Sequence, residues 1–110
     1  MKNNQILTLL GFAAKAGKLS FGTHATEWAI TVGKARLIVI AEDISGKTVK
    51  EIRFKADKKN IPVLVLEGIG SEELSHRVGK SCGIIAVCDT GFADAVNKYF
   101  KEETRYDGEI

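Results

Sequence analysis

Apolar positions along this chain switch between two periods, and the switching predicts its elements. Over residues 4–16, Ile6, Leu9, Leu10, Ala13 and Ala14 recur at three- and four-residue spacing, the mark of an amphipathic helix. Gly17 supplies the residue that ends such a helix. Residues 18–21 are long enough only for a short edge strand. A second helix is expected over 23–32, with Ala25, Ala29 and Val32 inward and Gly33 closing it. Residues 36–41, RLIVIA, form a continuous apolar run of strand length, as in a strand covered on both faces. Ser45 then caps a helix reaching Lys59, with Val49, Ile52 and Ala56 inward. The outward face of that helix is basic: Lys47, Lys50, Arg53, Lys55, Lys58 and Lys59. Pro62 opens a strand over 63–66, at a position where proline is tolerated. Ser71 caps a short helix to about Val78, residues 83–88 form another apolar strand, and 91–103 a last amphipathic helix.

Helices therefore alternate with strands, and the two longest apolar runs call for cover on both faces. The pattern predicts an α/β fold, a three-layer α/β/α sandwich on a small sheet of four strands, largely parallel or mixed. At 110 residues the chain supports one domain, expected over 1–103, with a flexible tail over 104–110. Its 45% hydrophobic and 27% charged content is that of a globular protein. No apolar run approaches the ~18 residues of a membrane span, and the polar start (Lys2, Asn3, Asn4, Gln5) is unlike a signal peptide. The expectation is a cytoplasmic protein, monomeric when free.

Charge changes the picture more than composition does. Residues 1–60 carry 11 Lys and Arg against 5 acids, a balance of +6; residues 61–110 carry 5 against 9, a balance of −4. The two sum to the net +2 of the chain. A basic N-terminal half implies an anionic partner, and an acidic C-terminal end a face turned away from it.

Catalytic and metal chemistry find little support. Cys82 and Cys88 flank one apolar strand, too far apart along it to bridge. His24 and His76 show no ligand spacing with them, so no metal or other cofactor is expected. The sequence ISGKT at 44–48 follows a strand as a phosphate-binding loop would. Its first glycine position, however, is Ala41, and Glu42 and Asp43 fall inside the loop, where they would repel phosphate. Gly68 and Gly70 lack the third glycine of a dinucleotide fingerprint, that position being Glu73. No serine or cysteine lies in a nucleophile context. The reading is of a protein that is not an enzyme.

The stretch 18–43, KLSFGTHATEWAITVGKARLIVIAED, carries the functional signal. Its order of glycine, helix, glycine, apolar strand and two acids resembles the core of the ribosomal L7Ae/L30e/S12e/Gadd45-type RNA-binding family. Within that family it looks most like the small bacterial YlxQ-type members. LLGFAAKAGK at 9–18, KNIPVLVL at 59–66 and VGKSCGIIAVCD at 78–89 extend the resemblance over nearly the whole chain. The resemblance implies an L30e-like fold, with a small four-stranded mixed sheet, and non-catalytic binding of structured RNA, ribosomal RNA foremost, with the ribosome as a further partner. The family's second helix opens with glycine, then asparagine and glutamate, then lysine, which meet the paired bases of a kink-turn. The matching positions here are Gly22, His24, Ala25 and Trp28. Gly22 agrees and His24 can exchange a hydrogen bond as asparagine does. Ala25 carries no carboxylate, and Trp28 offers an indole N–H and a ring face instead of an ammonium group. Base-edge readout is thereby reduced, while close backbone approach at Gly22 and Thr23 and the helix dipole persist.

Val49 and Lys59 match the family's pocket for a flipped-out nucleotide. Gly68, Ile69 and Gly70 match the loop that rests on the RNA, with Ile69 expected to be exposed. Lys15, Lys18, Lys34 and Lys59 are the expected phosphate contacts. The alternative is a protein-interaction module built on an exposed Trp28 and Ile69 patch.

Overall fold

The computed structural model describes the backbone of residues 2–109 and the side chains of residues 4–101. Its elements run α1 (Lys2–Lys15), β1 (Leu19–Phe21), α2 (Thr23–Thr31), β2 (Leu37–Ala41), α3 (Gly46–Lys58), β3 (Val63–Leu66), α4 (Ser71–Val78), β4 (Ile84–Val87) and α5 (Thr90–Glu109). The four strands form one mixed sheet in the order β1-β4-β2-β3. β2 and β3 are parallel, while β4 runs antiparallel to both β2 and β1.

Period-two alternation divides the sheet's side chains between two cores. Leu37, Val39 and Ala41 of β2, with Leu64, Leu66, Ile85 and Val87, face α1, α4 and α5. Ile38 and Ile40, with Ile84 and Ala86, face α2 and α3, where Ala29, Ile30, Ile52 and Ala56 meet them. All five residues of β2 are buried, which explains why its run lacks polar alternation.

Helix phase is where the sequence reading needs correction. α2 buries Thr26, Ala29 and Ile30, whereas Val32 is 47% exposed and Ala25 half-buried. Apolar residues stand all around this nine-residue helix, so spacing admits more than one phase. Packing against β4 and β1 selects the one that buries Ile30. Ser71 is not the cap of α4 but its first helical residue, behind Gly70. The backbone of α5 continues as helix over 104–109, where a tail was expected; Ile110 and the side chains of 102–110 lie outside the described residues.

Cys82 and Cys88 are free thiols. Burial holds the Cys82 thiol above its ordinary pKa, the mark of a packing residue rather than a nucleophile. Among the described residues, no helix is long and apolar enough to cross a membrane.

Candidate nucleic-acid interface

Three helices begin at one end of the sheet, because parallel β2 and β3 both finish there and antiparallel β4 starts there. The backbone bonds fix this end. Gly22 N–H donates to the Ile84 carbonyl at 2.8 Å, Ala41 N–H to Gly83 at 2.9 Å, and Glu42 N–H to Ile69 at 2.8 Å. Gly83 gives these loops room to meet, since a Cβ would stand 2.5 Å from Ile44 Cδ1 and 2.7 Å from Ser71 Oγ and both side chains would have to shift. Nothing in the sequence pattern marked Gly83; its role follows from three loops converging on one point.

Each helix N-terminus leaves donors that need an acceptor. For α3, Ser45 supplies it, its Oγ accepting from Thr48 N–H at 3.3 Å. For α4, Asp43 supplies it from the neighbouring loop: Ser71 N–H and Ser71 Oγ donate to Asp43 Oδ1 at 2.9 and 2.7 Å. The Ser71 hydroxyl and then its N–H hold the Asp43 carboxyl below the usual carboxylate range. Glu42 Oε1 accepts Gly68 N–H at 2.9 Å, so both acids of the strand's end are spent fastening the β3–α4 loop. These are the acids that disqualify ISGKT as a phosphate loop, and Gly46, the first residue of α3, begins a helix with its own cap.

α2 is built differently. Gly22 occupies its N-cap position with φ 91° and ψ 170° and offers no side-chain acceptor. A Cβ on Gly22 would meet nothing within 4 Å, so the space before the helix is open. Thr23 and His24 are exposed beside it. The positive end of the α2 dipole therefore faces an empty approach suited to a phosphate or carbonyl oxygen.

The remaining predicted residues divide among three places. At the opposite end of the sheet, about 15 Å away by strand rise, lie Lys18, Lys34 and Lys59. Lys18 leads into β1, with its carbonyl accepting from Cys88 N–H at 2.8 Å; Lys34 follows α2; Lys59 is the C-cap of α3. Lys34 Nζ stands 5.0 Å from the ring centroid of Trp28, which is 55% exposed. α2 thus links both ends, with Gly22 to His24 at its start, Trp28 on its outer side and Lys34 beyond its close. Lys15 is on the other face of the molecule, bordering a groove with Phe21, Arg77 and Lys80.

One expectation fails outright. Ile69 is 3% exposed and belongs to the core on the α1, α4 and α5 side, so it offers no contact surface. Gly68 at φ 76° and Gly70 turn the chain inward there, and the glycine flanks that suggested an exposed tip serve to tuck the side chain under. The proposed Trp28 and Ile69 patch is thereby dismantled. Val49 in the first turns of α3 and Lys59 at its C-cap are ten residues apart, about 15 Å by helical rise, so the two backbone positions are not adjacent. Val49 instead packs partly buried against the α2 and α3 core.

Electrostatics choose between the sides of this end. Asp43, Glu72 and Glu73 line a groove with Gly70 and His76 at the start of α4, which repels a polyanion. On the α2 and α3 side, Glu27 is paired with Lys55, and the basic face of α3 adjoins.

The chain is similar to known proteins. Over 87 residues the chain is 31% identical to the RNA-binding protein YlxQ of Enterococcus faecium, covering 79% of this chain and 82% of that one. It is 31% identical over 87 residues to the large ribosomal subunit protein eL30 of Candida glabrata, covering 77% and 82%. A solved structure of a Bacillus halodurans protein of unknown function superposes with TM-score 0.82 at 29% identity, covering 87% of this chain and 96% of that one. The family described as ribosomal protein L7Ae/L30e/S12e/Gadd45 matches residues 4–97, and with most of its length inside that match the chain belongs to this family.

Proposed function

We propose that this protein binds structured RNA, ribosomal RNA first, without chemistry, by seating it along α2 from Gly22, Thr23 and His24 to Lys34 and Lys59. One observation carries the reading. Of three helix N-termini gathered at one end of the sheet, two are capped by the chain's own oxygens, and α2 alone opens through a glycine onto empty space. An RNA phosphate or base carbonyl completes that helix as Ser45 and Asp43 complete the others. The names of the relatives, an RNA-binding protein and a ribosomal one, support the same reading. Gly68, whose N–H donates to Glu42, and Gly70, in the groove lined by carboxylates, stay outside this face.

The test is retention of ribosomal RNA over a salt series. Affinity falls linearly with the logarithm of salt concentration if phosphates are neutralised. Lys59→Ala lowers the slope by about one unit. Lys101→Ala, exposed on α5 behind the sheet, leaves it unchanged. Equal slopes for the two variants would refute the face, and salt-independent retention would refute the RNA reading itself.

A further inference from the structure

The outer surface of α2 and α3 carries apolar area that neither core uses. Trp28 is 55% exposed, Phe54 62% and Val32 47%. α2 turns Thr26, Ala29 and Ile30 to the sheet, and α3 turns Ile52 and Ala56 to it. Trp28 lies between Thr26 and Ile30, and Phe54 between Ile52 and Ala56, each two positions from both, so both rings project away from the sheet on the same layer. Each ring has a lysine over one face: Lys34 Nζ lies 5.0 Å from the Trp28 centroid and Lys58 Nζ 4.3 Å from that of Phe54. Each ring therefore presents exposed aromatic area beside a cation.

Charge identifies what fits this surface. From Lys47 to Lys59 the α3 segment holds six cations against two acids, Glu51 and Asp57. Of the cations, Lys55 is paired across to Glu27. An aromatic and cationic face in which each ring is accompanied by an ammonium group matches a chain that alternates flat π-faces with phosphates. A protein partner would need matching acids together with apolar side chains.

We infer that the α2 and α3 outer face is a stacking platform for unpaired nucleotides, with Trp28 and Phe54 each taking a base and Lys34, Lys50 and Lys58 the adjoining phosphates. This rests on the RNA reading above and adds a second, single-stranded element to it. It also gives Trp28 a use that does not depend on replacing a lysine in base readout.

A short oligouridylate, which has no duplex structure, is the test ligand, and Trp28, the sole tryptophan, is the reporter. Oligouridylate quenches the tryptophan emission; Phe54→Ala weakens binding roughly tenfold, the loss of one stacked base, and Phe54→Tyr retains it. Inorganic polyphosphate, which has charge without bases, binds more weakly and quenches little. Unchanged affinity in Phe54→Ala, or polyphosphate binding as tightly as oligouridylate, overturns the platform. Ribosomal RNA bound while oligouridylate is not would also overturn it, leaving the α2 entrance intact and a protein as the patch's partner. If neither RNA is retained, both readings fall.

Discussion

Substitution of Gly22 isolates the α2 entrance from the fold that presents it. At φ 91° and ψ 170° Gly22 occupies backbone space that side-chain-bearing residues avoid. Gly22→Ala therefore costs about 1–3 kcal/mol of stability. A Cβ there meets no protein atom within 4 Å, so the cost is backbone strain alone, without a clash. That is a fraction of the roughly 5–15 kcal/mol by which domains are folded, and the variant remains native. For RNA the same methyl is decisive. It stands where an oxygen must come within about 3 Å of the first N–H groups of α2. Losing one hydrogen bond to a charged group costs about 1.5–3 kcal/mol, roughly ten- to a hundredfold in affinity. Gly79→Ala is the matched control. Gly79 has φ 78°, and its Cβ would also meet nothing, but it closes α4 away from the entrance. Urea midpoints and ribosomal RNA retention are measured on both variants. Both lose stability, and Gly22→Ala alone loses affinity. A folded Gly22→Ala protein with undiminished affinity, or equal losses of affinity in the two, would refute the placement of the site.

Three further outcomes follow from buried groups and from the loop latch. Thr26 Oγ1 is fully buried without a hydrogen-bond partner, so Thr26→Val, of nearly the same shape, raises stability by about 1 kcal/mol in urea titration. Ile69→Ala lowers stability by about 2–4 kcal/mol because Ile69 is core, and the folded fraction keeps its RNA affinity. The native Asp43 pKa is depressed, so its contribution is complete above the ordinary aspartate value of 3.8 and disappears as pH falls through the lower native one. Asp43→Asn removes that part of the acid dependence of the urea midpoint, and an identical acid limb in both proteins would refute the latch.

Much of this protein is legible in its sequence because much of it is decided locally. RLIVIA reads as a doubly covered strand since burial on both faces leaves no place for polar alternation. Ser45 and Gly17 end or begin helices through geometry contained within a few residues. The order of elements, the four-stranded mixed sheet and Gly22 at a helix entrance follow from such signals, together with the family resemblance. What tertiary structure alone decided is contact between segments distant along the chain. Asp43 caps α4 from 28 residues away, a service that no local motif announces. Gly83 sits where the Ile44 and Ser71 side chains converge, so any larger residue there would displace them. Ile69 is buried although its glycine neighbours suggest a tip, and α2 turns Ile30 rather than Val32 to the sheet, because the surface it meets selects one of several apolar stripes. The separation of Lys18, Lys34 and Lys59 from Gly22 belongs to the same class. Lys18 precedes β1 and Gly22 follows it, so strand rise puts the two at opposite ends of the sheet although they are near in sequence.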